Sequence, residues 1–470
     1  MTAYDNNRPR RKLPALLFLL FIVIVGLVAG AVYLRPRFES QAPQVRLTPD
    51  SDVLGNAPLE ISVTDAGAGL KSLRITLGDT GIAGEQFAPP VGEKKVSVAL
   101  AKLPGLKEGK ATLRIAARDA SLWGWFKGNE TVVQKEISID LTPPSVEVIA
   151  DDRYINFGGA GAVVYKASAD AAKSGVRVGK HFFPGFPGQI KDKPDHLLVF
   201  FAHPYDTPPA AKAVLVATDK AGNTRELPLL YELKDVKYRK STLQLTDSFL
   251  RTKVAVLARD PATREAAPKD LFVAVNKNLR KANEDRIAEV TSKASPSMLW
   301  KGAFSQLSNS KVEANFADLR TYVYNGEPID TAYHLGYDLS VTKRYPVEAS
   351  NSGKVVLAED LGIYGNTVIL DHGLGLFTLY SHLSSIDVKP GDAVEQKQIL
   401  GKTGETGLAG GDHLHYAVYL HGVAVLPVEW WDGKWINDNI GPKLEGMSGE
   451  EIAVSQQPRK SRGGVRKRRR

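Results

Sequence analysis

From Leu13 to Leu34 the chain runs through 22 residues without a charge, almost all of them apolar. As a helix rising about 1.5 Å per residue, such a run covers the ~30 Å hydrocarbon layer of a bilayer. Arg8, Arg10, Arg11 and Lys12 stand just before it. That basic flank predicts a cytoplasmic N-terminus, with everything after Arg35 on the far side of the membrane. Ala29-Gly30-Ala31 has the small residues of a signal-peptide cleavage site. The run is longer than the core of such a peptide, however, and continues through Val32-Tyr33-Leu34. The expectation is a basic cytoplasmic segment over 1–12, an uncleaved transmembrane anchor over 13–34, and a body on the periplasmic or extracytoplasmic side of the cell membrane.

The body is 470 residues less these ends, too long for a single core and suited to roughly three domains. The net charge of +9 belongs to the termini. The four basic residues above and eight between Arg459 and Arg470 account for 12 positive charges, which leaves 49 basic against 51 acidic residues over 13–458. A nearly neutral body argues against a nucleic-acid-binding face on a folded domain. The absence of cysteine is compatible with export without requiring it.

Between 43 and 234 short alternating runs such as Leu59-Glu60-Ile61-Ser62-Val63 are separated by Gly, Asp, Asn and Pro, the signature of half-buried strands. Ala117-Arg118-Asp119 and Ala217-Thr218-Asp219 each close one strand of a weak internal repeat, with Thr142-Pro143-Pro144 between the copies. Those junction and turn residues, with Asp219-Lys220-Ala221-Gly222-Asn223, resemble tandem bacterial immunoglobulin-like domains, which implies β-sandwiches over 43–142 and 143–234. In place of the Gly-Asn turn the first copy has Ser121-Leu122-Trp123-Gly124-Trp125-Phe126. This reads as a packed loop in preference to a partner-binding one. A connector over 235–322 carries an amphipathic helix marked by Leu271, Val275, Leu279, Ala282, Ile287 and Val290. Short strands return over 323–436, and a disordered basic tail is expected over 437–470. The fold class is therefore mainly β: a transmembrane helix, two sandwiches, a helical connector and a C-terminal all-β domain.

Six of the nine histidines fall between His334 and His421. They include His334-Leu335-Gly336-Tyr337-Asp338, Ser381-His382, and Asp412-His413-Leu414-His415. Nitrogen and carboxylate donors crowded together suit a divalent metal of zinc character. His413 and His415 lie on an alternating stretch and so share a face, about 7 Å apart. His334 and Asp338 would be roughly 13 Å apart on a straight strand and can share an ion only across a bend, which Gly336 permits. Each pattern alone is weak. Together they are much stronger.

At these residues the chain resembles the lysostaphin/LytM-type zinc metallopeptidases, from about Tyr333 to Asp432. The likeness rests on His334-x-Gly336-x-Asp338, Tyr364-Gly365-Asn366 through His372-Gly373, Leu379-Tyr380-Ser381-His382-Leu383, Val388-Lys389-Pro390-Gly391-Asp392 and His413-Leu414-His415. It implies that His334, Asp338 and His415 ligate one Zn2+ per chain, and that His382 and His413 are catalytic through imidazole acid–base and oxyanion chemistry. The Phe-Glu that family members often carry after the histidine pair is Tyr416-Ala417 here. His372 and His421 read as structural or surface residues, His181, His196 and His203 lie in the second sandwich with no partners by sequence, and Tyr380 reads as a cleft wall or a packing residue. The implied protein is a membrane-anchored zinc endopeptidase that cuts peptide cross-links of peptidoglycan, between D-alanine and a diamino acid in preference to a glycine bridge. The other class it could belong to is a non-catalytic scaffold regulating wall hydrolases. Further expected partners are an envelope protein for the sandwiches and an anionic polymer or lipid for the basic tail. The stretch holding Asn325 and Asp330 is a candidate to occlude the cleft.

Overall fold

A computed structural model describes residues 13–258 and 260–456. The basic segment over 1–12 and the basic residues from Arg459 lie outside them. The chain is mainly β, with 42% strand against 21% helix. It divides into two compact units, Met1–Pro143 with Thr218–Asn223, and Pro144–Ala217 with Thr224–Arg470.

In the first unit Leu13–Leu34 is one continuous helix. The side chains described in it begin at Leu17, and among the described residues no helix is long and apolar enough to cross a membrane. The anchor therefore stays a proposal. Beyond it, a three-stranded and a five-stranded sheet enclose one core of alternating residues, among them Leu59, Ile61, Val63, Leu73, Ile75, Ile115 and Ile137. The period-2 pattern is the cause: burial along Leu59–Thr64 alternates inside and out. The Trp123–Phe126 segment is not packed beneath this sandwich, for Trp125 is 88% exposed.

The second unit is organised around an eight-stranded sheet. A hairpin of β1 (Asp318–Tyr324) and β2 (Glu327–His334) leads into it. Its inner strands are β3 (Tyr337–Ser340), β4 (Gly353–Asp360), β5 (Asn366–Asp371), β6 (Leu376–Leu383) and β7 (Leu414–Leu420), in the spatial order β3-β7-β6-β5-β4. Both faces are covered. Tyr380, Tyr416, Val418 and Leu370 face a core shared with residues of the 144–234 segment, such as Tyr165, Phe200 and Phe201. Phe377, Leu379, Ala417 and Tyr419 face a second core built with Leu250, Leu271, Phe272 and Ile287 of the connector. The connector's apolar periodicity is thus a packing face. Its helix runs through Pro268–Ala274, Val275–Leu279 and Arg280–Val290.

The chain does not become irregular at 437. Gly433–Asn439, Gly441–Leu444 and Gly449–Ser455 are short helices. Ile436, Ile440 and Ile452 are buried, Lys443 pairs with Asp152 in the interior, and Ser448 and Glu451 form a capping box. The polar composition conceals the four-residue spacing of Ile436, Ile440 and Leu444. Nearby, Glu429 is buried, its carboxylate accepting from Ala160 N at 2.8 Å and Asn156 Nδ2 at 2.7 Å. Burial outweighs those donors and pushes its carboxyl from 4.5 up to about 8. Folding selects the protonated form, so this contribution is complete below pH 4.5 and is lost as pH rises through about 8. Urea unfolding from pH 5 to 8 should show wild type losing up to ~1.4 kcal/mol per pH unit relative to Glu429→Gln.

Candidate metal centre

Three elements bring the donors together. Asp338 lies opposite His415 across the β3–β7 ladder, so both side chains leave the same face of the sheet. His334 ends β2 and is fixed there twice. Its carbonyl accepts from Ala317 N at 2.7 Å, and its Nδ1–H donates to the Asn315 carbonyl at 2.9 Å. That second bond leaves Nε2 with a lone pair facing inward. His334 Nε2 lies 2.9 Å from both Asp338 Oδ1 and His415 Nδ1, and His415 Nδ1 lies 3.0 Å from Asp338 Oδ1. A tetrahedral ion with bonds of 2.0–2.1 Å would set its ligands about 3.3 Å apart. The donor set and its spacing therefore fit a zinc-like cation, with His415 Nε2 buried and unpartnered on the far side of the ring.

Gly336 does more than permit the bend. A Cβ there would lie 2.5 Å from the Tyr416 carbonyl and 2.7 Å from the His415 ring. The ring occupies the space a side chain would need.

His413 and His382 flank the triangle. His413 Nδ1–H donates to the Gly411 carbonyl at 2.8 Å, and its Nε2 is 3.5 Å from Asp338 Oδ1. His382 Nδ1–H donates to the Thr406 carbonyl at 2.8 Å, and its ring centroid is 4.8 Å from that of His413. Regular alternation would send His382 to the Tyr380 side of the sheet. Its φ of +63° turns it to the His415 side instead. All five residues expected at the site therefore meet in one place. Tyr380 does not join them: its hydroxyl bonds to Ser350 on the opposite face, which makes it a packing residue. His372 is buried between Ser352 O and Thr378 Oγ1.

Electrostatics divide the group. Burial would raise the Asp338 carboxyl, but His334, His413 and His415 hold it well below the carboxylate range. Burial pulls His415 down to about 4 and, with repulsion from His413 and His415, holds His382 well below 6.5. Burial also opposes the charged form of His413, yet Asp338 more than offsets it and raises the group.

The sequence reading missed Arg320. Its Nη2 donates to Asp338 Oδ2 at 2.8 Å, directing the other carboxylate oxygen to the histidines. Only β1–β2 pairing brings it there, and no local spacing announces it. The centre opens on a cleft of about 330 Å3, whose opposite wall comes from the connector through Leu243, Leu245, Phe249, Phe272 and Arg280. Asn325 and Asp330 do not line it; Asp330 accepts from Asn276 Nδ2. In the first unit Glu39, Asp65 and Asp119 also bring carboxylate oxygens within 4.8 Å of one another. There Asp65 and Asp119 serve as acceptors for the turn amides of Gly67, Gly69, Ser121 and Asn129.

Residues 332–427 match Peptidase family M23. Stage II sporulation protein Q of Bacillus subtilis is 39% identical over 92 residues, 19% of this chain and 32% of that protein. The DD-carboxypeptidase/endopeptidase Mpg of Neisseria meningitidis is 38% identical over 95 residues, covering 20% and 22%. Peptidoglycan DD-endopeptidase ShyA of Vibrio cholerae is 40% identical over 91 residues, covering 19% and 21%. The chain thus spans a third or less of the length of each of these relatives. The matched residues contain all five site residues, while Arg320 and the connector residues lining the cleft precede them.

Gly336→Ala should displace the His415 ring. We expect about 1–3 kcal/mol of lost stability in chemical denaturation, together with weaker metal uptake in titrations of the metal-stripped protein.

Proposed function

We propose that the chain is a membrane-anchored, envelope-facing zinc metalloendopeptidase that hydrolyses peptide cross-links of peptidoglycan. The observation that carries the reading is the triangle of His334 Nε2, Asp338 Oδ1 and His415 Nδ1, 2.9–3.0 Å on each side, with two further imidazoles at its edge. The M23 match supports the reaction class, and relatives named as peptidoglycan endopeptidases support the substrate.

His334, Asp338 and His415 would hold the zinc. When bound, zinc polarises a carbonyl and lowers the pKa of a coordinated water towards ~7. His413 and His382 both have Nδ1–H committed to backbone carbonyls, so each presents Nε2 to the cleft as a proton acceptor. One takes the proton of the attacking water and returns it to the leaving amine. The other, when charged, steadies the developing oxyanion. Arg320 keeps Asp338 turned. The apolar connector wall suits alanine methyls. Arg280, held by the neutral Asn276 Oδ1 at 2.8 Å, offers a cation to the free carboxylate of a diamino-acid stem peptide.

Leu13–Leu34 is the anchor in this reading, and residues 43–142 and 143–234 are immunoglobulin-like spacers or docking modules for an envelope partner. The basic tail meets anionic polymer or lipid.

The full chain should bind one zinc. His334→Ala and His415→Ala should lose it. His413→Ala should keep stoichiometric zinc and the fold but release no muropeptides from purified sacculi; release that survives refutes the peptidase assignment. A regulatory scaffold would bind its partner whether or not zinc was present.

Arg320→Gln should weaken zinc binding by about 10- to 100-fold, read by competition with a chromophoric chelator. An unchanged affinity would show that Asp338 needs no such restraint.

A further inference from the structure

The loop joining the strands Gly109–Asp119 and Glu130–Ile139 places Trp123, Trp125 and Phe126 in solvent at 53%, 88% and 68% exposure. Contiguous exposed aromatics of this size mark an interaction surface. The backbone is shaped to present them: Trp125 and Phe126 have φ of +61° and +64°, a region bulky residues rarely enter.

The position of the loop says what it faces. Ser121 Oγ donates to the carbonyls of Arg37 at 3.2 Å and Glu39 at 2.7 Å, and Leu122 N donates to Arg37 O. On the other flank Asn129 Nδ2 donates to Glu39 O at 3.1 Å and Gln41 O at 3.3 Å. Both ends of the loop thus clasp residues 37–41, which begin within the tight turn Arg35–Phe38 that follows the apolar helix Leu13–Leu34. At about 2.0 Å per residue in that turn, Arg37 stands roughly 6 Å beyond Leu34. That is the depth of the headgroup layer, since a bilayer of ~40–45 Å has a ~30 Å core. Phe38 is 48% exposed on the same turn, which also carries Arg35 and Arg37, and Lys127 directly follows Phe126. Trp and Phe next to Lys and Arg is the composition that settles at an anionic lipid–water boundary.

We infer that the Trp123–Lys127 loop inserts into the interfacial layer of the same bilayer that holds Leu13–Leu34, fixing the first sandwich against the lipid surface. The inference rests on the anchor reading and adds a second contact with the same bilayer. A protein partner is the competing occupant, and the test separates the two.

The full chain is reconstituted into phosphatidylethanolamine–phosphatidylglycerol vesicles containing lipid brominated near the headgroup end of the acyl chain. Bromine quenches tryptophan only on close approach. Resistance to alkaline carbonate extraction reads the anchor, and quenching reads the loop. The expected result is extraction-resistant protein with a quenchable component that is lost in Trp123→Phe/Trp125→Phe and reduced in Trp125→Phe alone. Trp125 packs against little, so the single variant guards against a folding defect. Extraction-resistant protein quenched equally in wild type and both variants overturns the loop inference and leaves the anchor standing. Release by carbonate overturns the anchor, and the loop contact with it.

Discussion

His334 Nε2, His415 Nδ1 and Asp338 Oδ1 lie about 3 Å from one another, close enough to share a single proton or metal cation. Much of the second unit serves to hold that arrangement. The β3–β7 register sets Asp338 against His415, the Ala317 and Asn315 contacts fix His334, and Arg320 takes the outer oxygen of Asp338. Slipping the register by one residue would send Asp338 to the opposite face from His415. Register is costly to slip here because both faces of the sheet are buried, Tyr416 and Val418 on one side and Ala417 and Tyr419 on the other. The site's precision is thus inherited from two hydrophobic cores.

Those cores also account for the way the connector enters the site. Leu271, Phe272 and Ile287 cover the sheet face that carries the histidines, and the same covering layer extends as the cleft wall through Phe249, Phe272 and Arg280. Phe272 thus packs against the sheet and lines the cleft at once.

The donor set was legible because it obeys short-range rules. His413-Leu414-His415 alternates as a strand must, and a glycine between His334 and Asp338 signals a bend. The route by which His382 arrives was not legible, since a left-handed residue within a strand is a tertiary outcome that no spacing encodes. Arg320 was hidden for a related reason: its link to Asp338 spans 18 residues and exists only after the hairpin closes. The helices after 433 escaped notice because composition outvoted periodicity. The Trp123–Phe126 loop was misjudged because aromatic residues are usually buried, and only the strained backbone shows that these are presented outward.

The division between residues 332–427 and their surroundings has a chemical consequence for the proposed function. All five imidazole and carboxylate groups lie within 332–427, the residues that match Peptidase family M23. The opposite wall of the cleft lies at 243–280, outside the matched residues. Differential contact with a substrate's remote groups sets selectivity without altering the reacting atoms. Under the proposed function, Leu243, Phe249, Phe272 and Arg280 are the residues placed to make those contacts. Under the proposed peptidase reading, the preferred peptide bond is a property of the connector, and grafting a different connector onto residues 332–427 would change that preference while leaving the five site residues intact.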